Sequence, residues 1–161
     1  MLDKIIRGRK VNFLIHYLRI IYLNFVSLKH LYKFYMSKIQ FEIEYLVHSS
    51  AHILYNCISN PSSLEEWFAD SVNQKGEKFT FKWEDEERQA KLISSKKNQF
   101  IRWQWDESEY VNTFFEMRIK IDEMTNEVAL IITDFCDPDD EEDARMLWDL
   151  AIDDLHRVIG R

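Results

Sequence analysis

Apolar and polar residues alternate along KIQFEIEYLV, with Ile39, Phe41, Ile43, Tyr45 and Val47 on one side and Lys38, Gln40, Glu42 and Glu44 on the other. A period of two with one wet face predicts a half-buried β-strand. The beat returns in KFTFKWED, where Phe79, Phe81 and Trp83 share a face, and more briefly in RQAKLIS around Ala90 and Leu92. In QFIRWQWDE it sends Ile101, Trp103 and Trp105 one way and Arg102 and Gln104 the other; in TFFEMRIKID it sets Phe115, Met117, Ile119 and Ile121 against Glu116, Arg118 and Lys120. A sixth run, EVALIITDF, is apolar on both faces and is expected to be the most enclosed strand.

Helical signals interrupt and then end this series. Ser49 or Ser50 offers an N-cap for a short helix that runs to about Ser59 and stops at Asn60-Pro61. A second short helix is expected in SSLEEWFAD, where Ser62 and Glu65 have capping-box spacing. From about Glu141 the period becomes helical: Ala144, Leu147, Trp148, Ala151, Leu155, Val158 and Ile159 form a stripe, with Asp149, Asp153 and Arg157 largely opposite and Gly160 at the end. The sheet has one continuous apolar face, and this last helix is the element whose stripe matches it. The predicted fold is therefore α+β: a curved antiparallel sheet of about six strands around a long C-terminal helix, with two short helices after strand one.

That order of elements resembles the START-like helix-grip superfamily, also known as SRPBCC. Within it the chain is most similar to the branch related to the activator of the heat-shock chaperone ATPase. The resemblance is carried by FEIEYLVHSSAHILYNCIS, by NPSSLEEWFAD, by GEKFTFKWEDEERQAKLISSKKNQFIRWQW, and by VALIITDF before the final helix, and it covers residues 38–159. Trp67, and Trp103 or Trp105, are its better markers. The resemblance implies a cavity between helix and sheet, which relatives use for lipids, sterols, hormones or polyketides.

Composition divides the chain. Residues 1–35 hold seven Lys or Arg and one acid, a balance of +6, so the rest carries −13 within a total of −7. A folded part that acidic repels phosphate, and no nucleic-acid partner is expected. The apolar run from Val11 to Leu28 nearly has the length of a membrane span, but Arg19 sits near its middle, at a cost of about 2.5–3.5 kcal/mol on insertion scales. Two readings fit residues 1–35. One is a basic helix lying on an anionic membrane, which confines membrane contact to this extension; the other places the translation start at Met36, with residues 36–161 as the START-like domain. Cys57 and Cys136 are far apart and outside any C-x-x-C motif, which favours reduced thiols and a cytoplasmic location.

The chemistry these residues suggest is binding. Phe81, Trp83, Trp103, Trp105, Phe115 and Met117 are expected to face one volume, with Trp148 of the C-terminal helix above them; whether they fill it or leave room for a ligand is open at this stage. Thr133 and Asp134 are candidates for a polar anchor and only one of them can point inward; Thr133 is taken into the candidate pocket. Arg102 is assigned to the wet face. His48 and His52 lack the H-E-x-x-H context of a zinc pair, and the seven acids of DFCDPDDEED lack the glycine of a calcium loop. No metal or cofactor is expected. Nucleophile elbows, P-loops and dinucleotide fingerprints are missing too, so catalysis is not expected. Two alternatives remain: an interaction module whose acidic surface engages a basic protein partner, and a cyclase-like enzyme that acts by orienting a flexible substrate.

Overall fold

The computed structural model describes residues 38–84, 86–106 and 113–160, and the expectations for residues 1–35 lie outside them. Seven antiparallel strands form one open sheet in the order β1-β7-β6-β5-β4-β3-β2: β1 Ile39–Val47, β2 Ser71–Lys75, β3 Lys78–Trp83, β4 Glu86–Lys96, β5 Phe100–Trp105, β6 Phe115–Ile121 and β7 Val128–Cys136. Helices α1 (Ala51–Ser59) and α2 (Pro61–Leu64) follow β1, and α3 (Glu141–Ile159) closes the chain after a 3-10 turn at Pro138–Asp140. The α+β class, the two early helices and the long last helix are those the sequence predicts. The strand count differs by one.

The extra strand is β2. Its sequence, SVNQK, has one inward apolar residue, Val72, so it carries no readable alternation. It forms because Gly76, at φ +63°, turns the chain tightly back onto β3. The capping of α2 also differs from the expected box: Asn60 accepts the Ser62 backbone N–H, and Glu65 instead accepts the N–H of Val72, fastening α2 to β2. The cap of α1 is Ser50, whose hydroxyl accepts from Ile53 N.

Register fixes which side chains share a face. Trp103 pairs with Phe115 and Ile101 with Met117; Met117 in turn pairs with Ile132, and Ile43 with Ile132 from the other side. By the two-residue period these residues, with Phe79, Phe81 and Trp83, lie on the concave face. A bulge between Leu92 and Ser94 in β4 adds local bend and twist to the sheet. Helix α1 lies over β5 and β6 and buries Leu54, Cys57 and Ile58, while α3 buries Trp148, Ile152 and Leu155. The C-terminal helix is tied to β1 by Tyr45, whose hydroxyl donates to Asp149 at 2.6 Å, and by Arg145, which donates to the carbonyl of Glu42. Among the described residues no helix is long and apolar enough to cross a membrane.

Among the described residues, the convex face carries one buried charge. Glu116 is 3% exposed and is gripped from both sides, by Arg102 at 2.6 Å and Arg118 at 2.7 Å. Those guanidiniums lie over the rings of Phe114 and Phe100. Arg102 is thus on the face opposite the aromatic core, where it serves the ion-pair cluster.

Candidate functional site: an aromatic groove beside the C-terminal helix

The aromatic residues of the concave face divide into two layers. Phe81, Trp103, Phe115 and Met117 are fully buried. Trp103 stacks on Phe115 at 4.9 Å between centroids, and Phe115 stacks on Trp105 at 4.6 Å. Filling wins here: these side chains occupy the space at the middle of the sheet. Toward the β3–β4 end the packing opens into a groove of about 570 Å³, a size that suits a small ligand.

Three sides enclose this groove. Trp83 and Trp105 form the floor; Trp67 and Phe68, in the turn after α2, form one wall; Trp148, Leu147, Leu150 and Ala151 of α3 form the other. The wall after α2 is held in place by indole donors acting as struts: Trp67 Nε1 donates to the carbonyl of Cys57 at 3.0 Å, and Trp83 Nε1 donates to that of Phe68. Phe68 bridges the two walls, stacking on Trp148 at 5.6 Å and meeting Trp83 edge-on.

Two charged groups reach into this aromatic setting. Asp134 shares a face with Ile132 and stands opposite Phe41, so it points to the concave side. Its Oδ2 accepts the indole N–H of Trp148 at 3.0 Å and its Oδ1 accepts the backbone N–H of Phe135 at 2.8 Å. Burial pushes its carboxyl up to about 6, against those two hydrogen bonds and the attraction of Arg88 and Lys38. Arg88 is the second group. It pairs with Phe81 across β3 and β4, faces inward, and lays its guanidinium over Trp105 at 4.0 Å from the ring centroid.

Of the residues singled out from sequence, Trp83, Trp105 and Trp148 line the groove. Phe81, Trp103, Phe115 and Met117 form the packed layer beside it. Thr133 lies on the other side of the sheet: it pairs with Glu42 and Glu116, so strand parity turns it to the convex face and leaves the inward position to Asp134. Phe68 and Arg88 were missed. Phe68 sits in a turn without periodicity, but Arg88 has the same parity as Ala90 and Leu92 in RQAKLIS, which was a usable signal. His48 precedes α1 and His52 lies within it, exposed.

A family model for the START-like superfamily domain matches residues 35–161. The chain belongs to the START-like superfamily. A Bacteroides fragilis protein solved by solution NMR is similar to this START-like chain at 36% identity, covering 76% of it and 92% of the other chain, with a TM-score of 0.55. The Aha1 dimer from Colwellia psychrerythraea shares the fold at 14% identity and TM-score 0.65, over 75% of this chain and 96% of that one. A Mesorhizobium loti protein does so at 14% and 0.64, over 76% and 98%. No curated protein matches the chain. Within this START-like fold the groove lies between the curved sheet and the last helix.

Proposed function

We propose that this START-like domain is a non-catalytic binding module of the cytoplasm that holds a small apolar or amphipathic molecule in the groove between β3, β5 and α3. The observation that carries this reading is the split of the aromatic face: Trp103 and Phe115 fill the core, whereas Trp83, Trp105 and Trp148 border about 570 Å³ of open volume. Large aromatic side chains at a mouth that admits water lose part of their burial energy, which a ligand with an apolar body restores. Native mass spectrometry of the purified protein, followed by a panel of fatty acids, sterols and alkyl amphiphiles read by tryptophan fluorescence, tests it. A bound or saturably binding molecule is expected. No bound species and no quenching across the panel count against the groove as a binding site.

A second reading, an interaction module for a basic protein, draws on the exposed residues of α3, which include the outer edge of its groove wall. Met146, Leu147 and Leu150 are more than half exposed there, among Glu142, Asp143, Asp149 and Asp153. A partner held by that surface is expected to dissociate as salt rises from low to physiological strength, because exposed charges are screened. Its retention in high salt contradicts a charge-led contact.

A further inference from the structure

The polar groups of the groove carry information about its ligand. Among the described residues, six carboxylates border it, from Glu65, Glu66, Asp70, Glu86, Asp134 and Asp154, against the single guanidinium of Arg88. Several are occupied within the protein: Glu65 accepts from Val72 N, Asp70 from Glu84 N, and Asp154 pairs with Arg157. Asp134 differs from the other five in position. It stands on a sheet strand behind the rim, inside the aromatic walls and against Trp148. Its two oxygens accept from Trp148 Nε1 and Phe135 N, yet the desolvation of an inward carboxylate remains a cost, which a positive ligand group offsets and a neutral one does not.

The aromatic wall has a matching preference. The π-faces of Trp and Phe carry negative potential and attract cations. Arg88 already shows this within the protein, with its guanidinium 4.0 Å from the Trp105 centroid. For an anionic head group Arg88 is the one cationic lining residue among those described, and it is partly committed, to that ring and at 3.9 Å to Glu86. The carboxylates around it oppose an anion. Like charge in a partly desolvated cleft focuses the field, so the same arrangement concentrates positive ligands.

We propose, on the basis of the groove reading above, that the ligand is an organic cation: an amine or quaternary ammonium head placed between Asp134 and the Trp83 and Trp148 rings, with an apolar body along Phe68, Trp105 and Leu147. Asp134 supplies the counter-charge, the indoles supply the faces, and Arg88 excludes a second positive group from the inner end. The groove therefore discriminates by the sign of the head group as well as by the shape of the tail.

Three probes with one tail separate these components: decyltrimethylammonium, decanol and decyl sulfate, each below its micellar concentration and titrated calorimetrically into the full chain at constant ionic strength. The cation is expected to bind roughly tenfold tighter than the alcohol, with the sulfate weakest. Asp134→Asn should remove most of that preference, read as the ratio of cation to decanol affinity within each variant, because Asp134 also holds Trp148. Asp139→Asn, an exposed acid outside the groove, should leave all three unchanged. Equal affinities for cation and alcohol, or a tighter sulfate, overturn the cation assignment while leaving the groove reading in place. So does an equal loss in the two variants, which assigns the preference to the whole acidic surface. If none of the probes binds while another member of the ligand panel does, the cation assignment is overturned and the groove reading stands; if nothing in the panel binds either, the groove reading itself fails.

Discussion

Asp134 shows how one residue links stability to the site. Its carboxyl is raised from 3.8 to about 6 because burial disfavours the charged form. The native state therefore holds the proton more tightly than the unfolded chain does. Stability from this group is fully present below about pH 4, is lost as pH rises to about 6, and is level above that. The shift corresponds to about 3 kcal/mol. Denaturant unfolding at several pH values should show Asp134→Asn gaining on the wild type between pH 4 and 7. A constant difference across that range contradicts a raised carboxyl. Glu116 is the contrasting case: it is buried but held by two guanidiniums, so Glu116→Gln should cost about 2–3 kcal/mol and affect no ligand, as read by the midpoint of the same unfolding curves. Which of these acids mattered was hard to see in the sequence. EVALIITDF is apolar on both faces, so its pattern could not choose between Thr133 and Asp134; register against Phe41 and Ile132 chose.

Among the elements, β5 and β6 show most directly how pattern becomes packing. FIRWQW and FEMRIKI alternate, and the register that pairs Trp103 with Phe115 puts their large residues against one another. Truncating either fully buried ring should be severe: Phe115→Ala is expected to cost about 3–5 kcal/mol by leaving a cavity. Trp83→Ala, at the half-buried floor of the groove, should cost less and instead weaken ligand binding; comparing the two unfolding midpoints checks the layering. The strands and the last helix were legible because their apolar stripes are long. β2 was not, because a single inward Val72 carries no period. The capping of α2 was misassigned to Ser62 for a related reason: Ser62 and Asn60 both satisfy the sequence rule, and the turn set by Pro61 gives the role to Asn60. That Trp103 and Trp105, two residues apart on one face, would have different fates was also not legible. Alternation assigns a face, but only the position of α3 relative to the ends of the strands decides which part of that face is covered.

At the scale of the described domain, the fold separates a packed middle from an open end. The middle of the sheet is a packed core that holds the domain together, and the end bordered by α2 and α3 is left open between rigid aromatic walls. A ligand that binds only the folded state must raise its stability by mass action, by about 2.7 kcal/mol at a hundred times the dissociation constant. Thermal unfolding with decyltrimethylammonium or any molecule recovered from the purified protein should therefore shift upward with concentration. The most direct test is a two-dimensional NMR titration that follows the indole N–H signals of the five tryptophans during addition of that molecule. Trp83, Trp105 and Trp148 are expected to move together and saturate, while Trp103 stays in place. Movement of Trp103 with the other three still, or no saturable movement at all, would contradict a ligand site in the groove.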